Sequence, residues 1–92
     1  MLYKYITITE LSSVESLGYF DKNTHWYYTE EDAKRYFRKK KENSFVLLSV
    51  NQNDLSPAYI FTFSNKGFMN CKGIEYGITL PVNLVNIIKI VT

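Results

Sequence analysis

Seven residues, Ser44-Phe45-Val46-Leu47-Leu48-Ser49-Val50, constrain what this chain can fold into. The run is short and almost continuously apolar. Successive side chains of a strand point to opposite faces, so an apolar run of this kind fits a central strand covered on both sides. The rest of the chain must then supply more strands and a layer of cover.

More strands are easy to find. Leu2 to Ile8 reads as one, with Tyr3, Tyr5 and Thr7 on one face and Leu2, Lys4, Ile6 and Ile8 on the other. Thr24 to Tyr28 is an aromatic strand, and Tyr59 to Phe63 another. Asn65-Lys66-Gly67 supplies hairpin chemistry, so Phe68 to Cys71 is expected to pair back antiparallel. Lys72-Gly73 is expected to be a further turn and Ile74 to Leu80 a strand, with Gly77 at a bulge or a close backbone approach. Pro81 to Asn86 reads as a short helical turn or a bend, and Ile87 to Val91 as the closing strand. Tyr19 to Thr24 and Asn51 to Pro57 read as polar loops.

Two short helices fit between the first strands. Thr9 can cap the first, Leu11, Val14 and Leu17 give its apolar spacing, and Gly18 ends it. Thr29 caps the second, and Asp32 stands where a capping box has its acid. Glu30, Glu31 and Asp32 in its first turn complement the helix dipole. Ala33, Tyr36 and Phe37 form its inner stripe, while Lys34, Arg35, Arg38, Lys39 and Lys41 occupy the outer arc. Glu30–Lys34 and Glu31–Arg35 are expected i,i+4 pairs, each contributing only ~0.3–0.5 kcal/mol. The whole reads as one α+β domain over residues 1–92, with two short helices on a bent or split, mostly antiparallel sheet of about six strands.

Several chemistries are disfavoured. With one cysteine, Cys71, and one histidine, His25, no intramolecular disulfide and no four-ligand Cys/His zinc site can form, and no metal is expected. No glycine-rich phosphate loop, Gly-x-Ser-x-Gly elbow or His-Glu-x-x-His is present. No apolar run approaches the ~20 residues of a membrane span and no signal-peptide core is evident, so a cytoplasmic location without a membrane partner is expected. Cys71 is either a nucleophile activated by His25 or a buried structural residue. Glu75, an acid inside an apolar strand near Gly73 and Gly77, either faces solvent or lines a cleft.

Charge is the other signal. The net charge is +2, but six of the eleven Lys and Arg fall between Lys34 and Lys41, so one local face is basic. That arc is either a solvated helix face or a docking face for an acidic protein surface or a phosphate backbone. The eight Tyr and six Phe suit contact surfaces as well as a small β-rich core.

The order of segments resembles a reduced ADP-ribosyltransferase-like domain. The resemblance rests on Leu2-Tyr3-Lys4-Tyr5-Ile6, on Leu17-Gly18-Tyr19-Phe20, and on the aromatic strand and acid-started helix from Trp26 to Tyr36. It continues with Phe45 to Val50, then Ile74-Glu75-Tyr76, Pro81 and Ile87-Ile88-Lys89-Ile90. It implies that Lys4 holds the nicotinamide ribose of NAD, Thr29 supports the site, Tyr28 or Tyr27 stacks on nicotinamide, and Glu75 orients the ribose. The chain departs from the pattern at Lys4, which lacks the planar fork of arginine, and at Gly73, where a second acid would stand.

Three functional readings follow. In the first, the chain is a non-catalytic binding or inhibitor module. It is similar to small phage or prophage accessory proteins that block one host defence or transcription component, docks on an acidic host protein through its basic face and aromatic surface, and needs no cofactor. In the second it is a minimal NAD-dependent ADP-ribosyltransferase using Lys4, Tyr28, Thr29 and Glu75. In the third it binds nucleic acid. The oligomeric state stays open, a homo-oligomer included.

Overall fold

Alternating side chains in the first strand and a continuous apolar run in the middle of the chain set the architecture of the computed structural model, which describes residues 1–37, 44–64 and 72–91. In chain order the elements are β1 (Leu2–Thr7), α1 (Ile8–Leu17), β2 (Tyr19–Phe20), β3 (Thr24–Tyr27), α2 (Glu30–Tyr36), β4 (Phe45–Val50), β5 (Ile60–Ser64), β6 (Lys72–Tyr76), β7 (Leu80–Pro81) and β8 (Val85–Val91). Short 3-10 turns occupy Gln52–Asp54, Pro57–Tyr59 and Val82–Leu84. Six strands form one sheet in the order β5-β6-β3-β1-β4-β8, every pairing antiparallel, and β2 with β7 makes a small second sheet. This is the expected α+β arrangement of two helices on a mostly antiparallel six-stranded sheet.

Each side of the sheet has its own apolar cluster. Leu2, Ile6, Trp26, Val46, Leu48 and Ile74 lie on one side, against Ile8, Leu11 and Val14 of α1. Tyr5, Tyr27, Leu47 and Ala33 lie on the other, with Phe37 and Phe45 packed beside them. The alternation expected of β1 is therefore met. So is the two-sided burial of β4, whose residues from Val46 to Val50 are all buried. The sheet splits in its middle: β1 meets β3 at one position, Tyr3 opposite Tyr27. Beyond it the Lys4 ammonium donates to the His25 carbonyl at 3.1 Å in place of a ladder bond.

Local chemistry explains the helix ends. Thr29 caps α2 as expected, its hydroxyl accepting from the Asp32 amide at 3.0 Å. Gly18 ends α1 at φ 85°, a left-handed conformation that costs glycine little, and donates to the Val14 carbonyl. The cap of α1 is Thr7, not Thr9: Thr7 Oγ1 accepts from the Glu10 amide at 3.1 Å, and the helix begins at Ile8. β1 pairs with β4 as far as Thr7 opposite Phe45, so the threonine that ends the ladder takes the cap.

Other boundaries also differ from expectation. Tyr19–Phe20 is a short strand rather than loop, because it pairs with Leu80–Pro81. Lys72 and Gly73 are not a turn but the start of β6, opposite Ser64 and Phe63 of β5. The strand expected to run to Leu80 stops at Tyr76. Gly77 turns its amide to the Tyr59 carbonyl at 2.8 Å and lies against the Phe61 ring, which bears out the close approach. α2 ends at Tyr36, with Phe37 extended at ψ 115°, so the outer arc on this helix comprises Lys34 and Arg35. Arg38, Lys39, Lys41, the Asn65-Lys66-Gly67 hairpin and the Phe68–Cys71 segment lie outside the described residues.

Candidate functional site

Two polar clusters stand out on the α2 side of the sheet. The first joins β3 to β6. The register sets His25 opposite Glu75, and their side chains meet at 2.9 Å between Nε2 and Oε1, both partly exposed. The Phe63 ring meets the imidazole edge-on with centroids 5.2 Å apart, and Phe61 stands opposite Glu75 on β5. α2 packs across β1 and β3, so this pair lies on the open part of the face beside it. Glu75 is thus neither fully solvated nor enclosed: it is held against an imidazole among aromatic rings.

The second cluster links three elements. Glu30 Oε1 accepts from the Tyr5 hydroxyl at 3.0 Å and pairs with Lys89 Nζ at 2.8 Å. Hydrogen bonds from Lys89 and Tyr5 hold the Glu30 carboxyl below its ordinary range. The same contact raises Lys89, and burial, then Glu30, raises Tyr5. The expected i,i+4 pairs give way to this arrangement. Glu30 bonds to Lys89 and Tyr5, and Arg35 lies 3.6 Å from Asp32. Stability should follow these shifts. A carboxyl lowered on folding stabilises above its ordinary value of 4.5, and that contribution disappears as pH falls through the folded value. Raised Tyr5 and Lys89 stabilise below their ordinary values of 10.0 and 10.5, and lose that contribution as pH rises through the folded values. The melting-temperature gap between the native protein and Glu30→Gln should therefore be widest at neutral pH and close at both extremes. A gap that stayed constant with pH would refute the cluster.

The residues that the resemblance assigns to an NAD site are placed as follows. Lys4 lies on the α1 side of β1, between Leu2 and Ile6, with its ammonium near Glu10 of α1. Burial pushes that ammonium below the ordinary lysine value, and the Glu10 carboxylate partly offsets the effect. Glu75 lies on the α2 side with His25. The backbone of β3, whose His25 carbonyl Lys4 holds, runs between them. Thr29 is engaged in capping α2, and Tyr28 beside it is exposed, its amide donating to the Lys72 carbonyl at 3.3 Å. The structure brings Tyr28 and Thr29 together and leaves Lys4 and Glu75 on opposite sides of a strand.

His25 is the site residue whose partner the sequence does not mark: its ring engages Glu75, while Cys71 lies outside the described residues. The alternation of each strand fixes which face its side chains take, but not which residue of a distant strand stands opposite. Among the described residues no group of three or more His, Cys, Asp or Glu could hold a metal ion, and no helix is long and apolar enough to cross a membrane. Compared with protein-family models, with curated proteins and with solved structures, the chain matches none.

Proposed function

We propose that this chain is a non-catalytic binding module that docks on an acidic surface of a host protein through the outer face of α2. One observation carries the reading. Glu30, the acid spaced to neutralise Lys34, is bound to Lys89 and Tyr5 instead, and Lys34 makes no ion pair among the described residues. Lys34 and Arg35 are both exposed; the acid spaced to Lys34 is committed to Lys89 and Tyr5, and Arg35 keeps a longer contact of 3.6 Å to Asp32. Such cations meet a carboxylate-rich partner without first breaking a strong internal pair. Exposed Tyr28 at the start of the same helix adds an aromatic contact with a polar tip. The NAD-dependent transferase reading has less support, because the resemblance assigns Lys4 and Glu75 to one site and the backbone of β3 runs between them.

The test is a tagged pull-down from host lysate with and without NAD, read by mass spectrometry. The partner captured by the native protein should be lost, by roughly tenfold or more, in Lys34→Glu/Arg35→Glu. Its binding should weaken with added salt, while circular dichroism stays native. Capture that survives the charge reversal would refute this docking face. An NAD-dependent mass shift abolished by Glu75→Gln would establish the transferase instead.

A further inference from the structure

β8 closes one side of the sheet, and among the described residues no strand pairs with its outer edge. Three of its isoleucines project into solvent: Ile87 and Ile88 at 51% exposure and Ile90 at 59%. An apolar edge strand this long is a template for another strand, because one row of its amides and carbonyls has no partner. Natural edges are usually guarded by proline or charge. β8 has no proline, and its one charged residue, Lys89, is matched by Glu30 at 2.8 Å.

The register decides which side chains a second strand would meet. Ile90 and Ile87 stand opposite Val46 and Leu48, so they point to the α1 side, while Lys89 stands opposite Leu47 on the α2 side. The register shifts between Leu47 and Leu48, which leaves Ile88 at the irregularity. On the α1 side a groove of about 280 Å³ runs between α1 and β8, lined by Leu11, Phe20, Leu48, Val82, Val85 and Ile87 together with Glu15.

We propose that β8 pairs antiparallel with β8 of a second copy of this chain across a two-fold axis, joining the two six-stranded sheets. This inference is independent of the docking face on α2. A two-fold axis normal to a sheet generates an antiparallel edge pair and keeps both copies of α1 on the same face. Charge permits the second copy: each strand brings one lysine already matched by its own glutamate, so the paired strands themselves carry no unmatched like charges. Area decides how the contact must be made. A seven-residue edge roughly 24 Å long and ~10 Å deep presents only ~240 Å² in section, against ~800 Å² per partner in a stable complex. The edge alone is too small. The isoleucines of each copy must also seat in the groove beside α1 of the other, on the face that the two-fold axis shares between them.

Sedimentation equilibrium over a micromolar range should give twice the 10.8 kDa chain mass for the native protein. Ile90→Asp should weaken association at least about tenfold, and Leu11→Ala, which empties part of the groove, should weaken it too. Lys34→Glu/Arg35→Glu should leave it unchanged, which separates this contact from the α2 face. Amide exchange along β8 of the native protein should quicken on dilution, a readout that stands even if a variant misfolds. A native protein that is monomeric throughout the range, or a dimer untouched by Ile90→Asp, overturns the proposal.

Discussion

Replacing Gly73 by alanine should destabilise the protein by roughly 3 kcal/mol or more, a large share of the ~5–14 kcal/mol expected for a domain of this size. Gly73 sits in β6 between Tyr27 of β3 and Phe63 of β5. A methyl group there would collide with the Trp26 carbonyl oxygen and lie 3.0 Å from both the Trp26 carbonyl carbon and the Tyr27 Cα. All of these atoms are backbone, so no side chain can swing aside. The substitution must push β3 from β6 and strain the bond from the Tyr28 amide to the Lys72 carbonyl. The other described glycines supply the comparison. At Gly77 the methyl would meet the exposed Phe61 ring at 3.1 Å, which can move. At Gly18 nothing lies within 4 Å, and the cost is that of a left-handed residue, ~1–2 kcal/mol. Urea unfolding midpoints should therefore fall most for Gly73→Ala, less for Gly18→Ala and least for Gly77→Ala. A Gly73→Ala midpoint equal to that of the native protein would show that the strands are not this close.

The same glycine shows where residue order stops informing the fold. Lys72-Gly73 has the composition of a turn, and nothing within two residues reveals that a neighbouring carbonyl presses against it. Features whose cause is local were legible: the Thr29 cap, the Gly18 stop, the alternation of β1 and the two-sided burial of β4. Thr7 and Thr9 are equivalent caps by composition. The choice between them is made by how far β4, almost forty residues away, extends the ladder. The break after Tyr76 was hidden for a similar reason. Gly77 turns to the Tyr59 carbonyl, and Leu80 is drawn off to pair with Phe20, a strand that exists only because of that pairing.

At the candidate site the divide is sharper. Glu75 was visible as an acid in an apolar strand, but its partner stands fifty positions away and is fixed by a register that neither strand encodes alone. Helical spacing pairs Glu30 with Lys34. An exposed i,i+4 pair contributes ~0.3–0.5 kcal/mol, too little to compete with a charge-assisted bond to Lys89 reinforced by a tyrosine hydroxyl. Lys4 and Glu75 could be joined on paper because their order along the chain fits a familiar pattern. Order along the chain does not determine the side of the sheet, and here Lys4 follows the α1-facing set of β1 while Glu75 follows His25 to the other side.

Trp26→Ala should cost roughly 3–5 kcal/mol, enough with the total above to leave a measurable unfolded fraction at 37 °C. Trp26 is fully buried on β3. Its ring meets Phe20 edge-on at 5.7 Å and 74°, and its indole N–H donates to the Thr24 hydroxyl at 3.1 Å. It ties the small β2–β7 sheet, through Phe20, to the main one. The cavity left by alanine would be lined by backbone and by side chains already fixed in the sheet, so collapse recovers little of the loss. Trp26→Phe keeps most of the apolar volume and should cost clearly less. Because Trp26 is the chain's one tryptophan, its emission reports burial at this point directly. The native protein should emit in the blue and shift red in a single transition that coincides with loss of strand signal. Two separate transitions would mean that the β2–β7 sheet detaches before the six-stranded sheet melts. The same residue has a functional consequence: β3 turns Trp26 inward and His25 to the opposite face. Losing the inward anchor should loosen the strand that positions His25 against Glu75. The histidine ring resonances of Trp26→Phe should match those of the native protein, whereas those of the folded fraction of Trp26→Ala should broaden. Unchanged resonances in Trp26→Ala would mean that the His25–Glu75 pair is held from the β6 side alone.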